Sequence, residues 1–167
     1  MEPDDLREYR EKREFEKTPE PAGAPQKAGR NRFVVQKHDA SHLHYDFRLE
    51  MPELPDSDVW VLKSWAVPKG IPTGQGVKHL AVAVEDHPVD YIDFEGTIPA
   101  GSYGAGTVEI WDSGSYQLIK RTPKEFEFVL KGKLLNGRYV LIQTSWKGQD
   151  NWLIFKTKEK AIRLAKA

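Results

Sequence analysis

The sequence predicts a mainly β fold, a compact closed β-barrel of roughly eight strands with short flanking helices and an N-terminal arm. Three observations carry that reading. From Phe33 onward the chain divides into short segments rich in β-branched and aromatic residues, each bounded by Gly, Pro, Asn, Asp or Ser. No helical period intervenes between them, which favours a barrel or a sandwich over alternating strands and helices. A length of 167 residues gives room for one substantial core, and not for two ordinary domains beside a tail.

The first 32 residues differ from the rest. In DDLREYREKREFEKT, Leu6, Tyr9 and Arg13 recur at helical spacing, but the apolar stripe is thin, and residues 1–12 alone read as a disordered tail. The stretch PEPAGAPQKAGRNR reads as a linker or an arm draped over the domain. The expected division is a partly disordered arm over residues 1–32 and a barrel over residues 33–167. Strand candidates follow in order: RFVVQK, LHYDFRLEM, VWVLKSWAV, HLAVAVE, GTVEIWD, SYQLIK, EFEFVLKG, GRYVLIQT and NWLIFKTK. Asn-Gly in LNGRY predicts a hairpin turn, WKGQDNW a longer hairpin loop, and EKAIRLAKA a short terminal helix.

Composition narrows the chemistry. The 25 basic and 25 acidic residues cancel, so whole-chain charge points to neither nucleic acid nor membrane, and any phosphate site must be local. The absence of cysteine excludes disulfides and thiolate zinc sites, agrees with a reducing compartment, and leaves histidine and carboxylate as metal ligands. No apolar run approaches the roughly 18 residues of a membrane span, and the charged N-terminus is the opposite of a signal peptide. A cytoplasmic protein without membrane contact is expected.

HDASHLHYDFRLEM places three of the five histidines within seven residues. In its second part, Leu43, Tyr45, Phe47, Leu49 and Met51 alternate with His44, Asp46, Arg48 and Glu50, so one face is core and the other polar. Successive same-side residues lie about 6 to 7 Å apart, close enough for a metal to draw in His44 and Asp46 while Arg48 reaches an anion on that metal. If the DASH loop folds back, His38 completes a His-His-carboxylate set with open coordination positions, the arrangement of a catalytic metal. His42 reads as a loop residue. By pattern alone, the same face serves equally well as the solvated side of a half-exposed strand.

A second constellation closes the apolar strand in LAVAVEDHPVDYIDFEG. His87 is placed to hold a phosphoryl oxygen or act as an acid, Tyr91 to donate a hydrogen bond, and Glu85 to orient one of them. Lys69, in SWAVPKGIP, offers another phosphate partner, whereas Trp65 reads as core. PAGSYGAG lacks the lysine of a phosphate-cradling loop and reads as a turn whose glycines permit positive φ.

These motifs, with YREKREFEKTPEP near the start and NWLIFK near the end, resemble the 3′-phosphoesterase module of bacterial DNA ligase D and its free-standing relatives, and the resemblance covers nearly the whole chain. It implies a compact β-barrel that heals DNA 3′ ends with manganese. A 3′-terminal ribonucleoside is removed to leave a 3′-phosphate, and that phosphate is then hydrolysed to a 3′-hydroxyl. It also implies His38, His44 and Asp46 as metal ligands, Arg48, His87 and Tyr91 on the phosphate, and functional positions at Gln36, Lys69 and Glu85. The family's arm motifs fall on Arg13, Glu14 and Phe15 and on Glu20 and Pro21, where Glu14 departs from the usual aspartate. By the same resemblance the substrate is a DNA or primer-template 3′ end, the protein a nucleoid-associated monomer, and its partners a DNA ligase or polymerase and a Ku-like protein. Nitrogen and oxygen ligands suit manganese and also accept cobalt, iron or zinc. Two rival readings share the residues: an Fe(II) oxygenase with a facial triad, and a non-catalytic barrel that grips nucleic-acid ends.

Overall fold

The computed structural model describes residues 6–23, 29–145 and 150–158. Helix α1 (Arg7–Glu11) is followed by strands β1 (Arg32–Asp39), β2 (Leu43–Pro52), β3 (Trp60–Val67) and β4 (Lys78–His87). A 3-10 turn (Val89–Asp93) leads to β5 (Gly96–Ile98), β6 (Gly106–Thr122), β7 (Glu125–Gly132), β8 (Asn136–Gln143) and β9 (Asn151–Lys156). The strands pair antiparallel in the order β1-β2-β3-β4-β9-β8-β7-β6, and β1 pairs with β6 to close the barrel. The short β5 lies outside that ring, against the first residues of β6.

Closure removes the free sheet edges and encloses an aromatic interior. Phe33, Phe47, Trp65, Phe126, Phe128, Tyr139 and Trp152 meet there with Leu49, Met51 and Leu141. Phe47 stacks on Phe128 with ring centroids 5.8 Å apart, and Trp65 stands edge-on to both Phe126 and Trp152. A second apolar cluster covers the outer face of the sheet: Val34, Leu62 and Val108 from the strands meet Tyr9 from the arm, Tyr91 and Ile92 from the 3-10 turn, and Phe94 and Ile98. Part of the sheet is therefore buried on both faces, and the polar residues of β2 lie on that second, covered face.

Four sequence expectations are revised. GTVEIWD and SYQLIK form one continuous strand, β6, and Gly114 within it is no turn: a Cβ there would lie 2.1 Å from the Lys131 carbonyl, so glycine answers the close approach of β7. Asn136-Gly137 is not the hairpin turn either, since both residues already pair with β7 and the chain reverses at Lys133-Leu134. The Asp112 carboxylate accepts the N–H groups of Lys133, Leu134 and Leu135 at 2.9, 3.1 and 2.8 Å, a distant cap that replaces local turn chemistry. β5 is an additional strand. Residues 6–12 are packed rather than loose, with Leu6 and Tyr9 buried and the Tyr9 hydroxyl donating to the Pro21 carbonyl. The expected terminal helix and the middle of the WKGQDNW loop lie outside the described residues. Among those described, no helix is long and apolar enough to cross a membrane.

Candidate active site

The β1–β2 hairpin sets His38 directly opposite His44, with ring centroids 4.7 Å apart, so the intervening loop does fold back. One ligand atom from each of His38, His44 and Asp46 lies within 4.8 Å of the others. His38 Nε2–H donates to the Gly104 carbonyl at 2.7 Å, and His44 Nδ1–H donates to the His42 carbonyl at 3.0 Å. Carbonyls only accept, so each bond fixes its ring and leaves the other nitrogen toward the Asp46 carboxylate: His38 Nδ1 and His44 Nε2 each lie 3.3 Å from it. Lone pairs that converge in this way require a proton or a metal cation between them. The donor set fits a divalent transition metal, with the Gly104 and His42 carbonyls already orienting the two imidazoles.

Burial by itself would raise the Asp46 carboxyl, but hydrogen bonds from His38 and His44 and the Arg48 charge outweigh it and hold the group far below the usual carboxylate range. His44 is raised in turn, chiefly by its bond to Asp46. Arg48 Nε donates to Gln36 Oε1 at 2.7 Å, while Gln36 Nε2 donates to the Tyr91 and Phe94 carbonyls. Gln36 is thus a buried clamp that ties Arg48 to the 3-10 turn. The guanidinium lies over the Tyr91 ring at 4.8 Å, and its Nη1 is buried without a hydrogen-bond partner among the described residues.

A β-bulge brings the second constellation to the same face. Ser64 pairs with Val84 and Leu62 with His87, so two residues of β3 span three of β4. Without the extra residue, His87 would follow Ala81 and Ala83 toward the core. Its Nδ1–H donates to the Glu85 carbonyl at 2.9 Å, and its Nε2 faces Arg13 Nη2 at 3.3 Å. Burial first, then the Arg48 and Arg13 charges, push the imidazole well below its ordinary pKa, so it is neutral. The Tyr91 hydroxyl donates to Glu20 Oε2 at 2.7 Å.

The arm completes the site. Arg13 Nε pairs with Glu20 at 2.9 Å and Arg13 Nη1 with Glu85 at 3.2 Å, all three side chains being buried, and Lys12 adds a bond to Glu85 at 3.1 Å. Arg13, Glu20, Glu85 and the metal-type cluster line one cavity of about 290 Å³ together with Arg48, His87, Tyr91 and Tyr103. Three expected members do not line it: Gln36 is fully buried and acts through Arg48, while Glu14 and Lys69 lie outside. Glu14 is solvent-exposed and pairs with Lys17, while Arg13, one residue earlier, turns inward. Lys69 is exposed in the turn after β3, where Pro68 and the positive φ of Gly70 carry the chain away from the cavity. Arg13 and Tyr103 carry no sequence signal beyond the arm motif and a glycine-rich turn, because only the fold brings them together.

The cavity lining holds two guanidiniums, Arg13 and Arg48, against three carboxylates, Glu20, Asp46 and Glu85. Such a surplus repels a phosphate dianion unless a cation offsets it, and the His-His-Asp cluster is where a cation fits.

The family model of the DNA ligase D 3′-phosphoesterase domain matches residues 36–143. The chain belongs to this family. It is 49% identical over 168 residues to the multifunctional non-homologous end joining protein LigD of Pseudomonas aeruginosa, covering 95% of this chain and 19% of that protein. The non-homologous end joining DNA repair protein LigD of Mycobacterium tuberculosis is 45% identical over 163 residues, 94% of this chain and 20% of its own length. The LigD of Mycolicibacterium smegmatis is 43% identical over 170 residues, 94% of this chain and 21% of that protein. The chain thus spans about a fifth of the length of these relatives. The phosphoesterase match begins at Gln36 and takes in every barrel residue of the cavity, while alignment with the Pseudomonas protein over 95% of the chain extends into the arm.

Proposed function

We propose that the chain heals DNA 3′ ends with manganese, first as a phosphodiesterase that removes a 3′-terminal ribonucleoside and then as a phosphomonoesterase that converts the 3′-phosphate to a hydroxyl. The observation that carries this reading is the convergence of His38, His44 and Asp46 with Arg48 and His87 in one cavity of a 3′-phosphoesterase domain. His38, His44 and Asp46 would hold the metal, which when bound supplies Lewis acidity toward a phosphoryl oxygen and a nucleophilic water at neutral pH.

The chain's own residues supply the rest. Arg48, with a spare buried donor and its Nε anchored on Gln36, neutralises charge on the terminal phosphate. His87 Nε2 accepts from Arg13 Nη2 at 3.3 Å, so it positions a protonated phosphate oxygen or a water by exchanging that partner, and it becomes an acid only after gaining a proton from incoming substrate. Tyr91 and Glu20 share one proton donor and fix each other. Glu20, Arg13 and Glu85 form a relay from the arm to the barrel, which ties the arm to the step that must grip a nucleoside as well as a phosphate. The ribose 2′-hydroxyl of a terminal ribonucleotide is the feature that distinguishes the diesterase substrate.

The reading extends to non-homologous end joining, with a DNA ligase or polymerase and a Ku-like protein as partners, on the strength of the relatives' names. An Fe(II) oxygenase would use the same three ligands but has no need of Arg13 and Arg48 at one cavity. The test is Mn²⁺-dependent phosphate release from a 3′-phosphorylated oligonucleotide. Release is expected, with cobalt as a substitute that the same donors accept; oxygen uptake with Fe(II) and no phosphate would overturn the proposal.

A further inference from the structure

The glycine-rich turn between β5 and β6 is doing two things at the cavity. It is built by Ser102 N–H donating to Pro99 O and Ala105 N–H to Ser102 O, with Gly101 and Gly104 at φ +88° and +75°. Its Gly104 carbonyl orients His38, and one residue earlier it carries Tyr103 to the cavity rim. Tyr103 is 46% exposed, whereas the other aromatic of the lining, Tyr91, is buried. Lys12 Nζ and Arg13 Cζ lie over its ring at 4.9 and 5.1 Å, and Lys12 Nζ also donates to its hydroxyl at 3.4 Å. An aromatic held half in water at the mouth of a phosphate-type cavity, with a half-exposed ammonium beside it, matches the stacking platform and backbone cation of single-stranded nucleic-acid sites.

We propose that Tyr103 is the base-stacking residue of the site: its exposed surface packs against the nucleobase at the 3′ terminus, and Lys12 meets the adjoining backbone phosphate. This rests on the 3′-end reading and deepens it by naming what the site recognises besides the phosphate. Every base has a π-face, so the platform takes any terminal base and discriminates against an end that has none. The arm and the turn then meet over the substrate, Lys12 from one and Tyr103 from the other.

The test compares oligonucleotides ending in a 3′-phosphate, one with a normal terminal base and one abasic at that position, with KM and kcat measured in Mn²⁺ and binding measured separately by fluorescence anisotropy. In the parent protein the abasic substrate should have a KM about 10-fold higher. Tyr103→Ala should raise KM about 10-fold for the base-bearing end alone, erasing the difference, while Tyr103→Trp preserves it. Equal losses on both substrates would overturn the proposal, since Tyr103 would then act through the turn and His38. A parent protein indifferent to the base would overturn it as well. If the parent binds both oligonucleotides but releases no phosphate, the end-healing reading fails, and the anisotropy comparison still decides the role of Tyr103.

Discussion

The two faces of β2 are buried to nearly the same depth and held by opposite means. Phe47 and Leu49 are 0% exposed in the aromatic interior, and Asp46 and Arg48 are 7% and 3% exposed on the outer face. Interior residues need only fill space. Outer residues need partners for their polar atoms: His38 and His44 meet Asp46, Gln36 holds Arg48 and is itself tied to the 3-10 turn, and Arg32 holds Glu50. Burial does not separate scaffold from site here; the identity of the covering layer does.

That contrast predicts a clean division between two neighbouring positions. His44→Ala should reduce phosphate release by roughly 1,000-fold or more. Its side chain is 23% exposed, so thermal unfolding should stay near that of the parent protein. Phe47→Ala should cost about 3 to 5 kcal/mol, read from denaturant unfolding, because it opens a cavity among stacked rings. A folded Phe47→Ala protein with full stability, or an unfolded His44→Ala protein, would break the comparison.

The arm offers a smaller contrast. Glu20→Ala removes the partner of Arg13, Thr18 and Tyr91 and should slow ribonucleoside removal about 10-fold or more, with less effect on the 3′-phosphate. Glu14→Ala, on an exposed side chain, should change either rate by less than about 2-fold. Equal losses of both activities in Glu20→Ala would contradict the assignment of the arm to the first cut.

The smallest expected effect concerns acid. Burial would raise the Glu50 carboxyl, but the side-chain bond from Arg32, joined by the Arg30 and Arg32 backbone N–H groups, wins and lowers it below 4.5. A carboxyl lowered in the folded state contributes stability above its unfolded pKa and loses it as pH falls through the folded value. Glu50→Gln should therefore be less stable than the parent at pH 7, and the gap should close as pH drops below about 4.5, as seen in the denaturation midpoint at each pH.

Much of this was legible in the sequence. Strict alternation sorted β2 into its two faces, and the polar end of β4 marked Glu85 and His87. What alternation cannot give is register. His38 joins His44 because the hairpin pairs them across the loop, and His87 turns outward because one residue is added to β4. Arg13 and Tyr103 reach the cavity from segments about ninety residues apart, a contact with no local signature. Asn136-Gly137 misled because a carboxylate on β6, Asp112, caps the turn from outside it.

The central claim is that the covered polar face cuts and trims a 3′ end through His38, His44 and Asp46. Its most direct test incubates the chain and its Asp46→Ala variant with Mn²⁺ and a primer-template ending in a single 3′ ribonucleotide, and resolves the products by length and 3′ group. The prediction is loss of one nucleoside to a 3′-phosphate, followed by a 3′-hydroxyl, with neither product from the variant. An uncut primer, or the same products from Asp46→Ala, would contradict it.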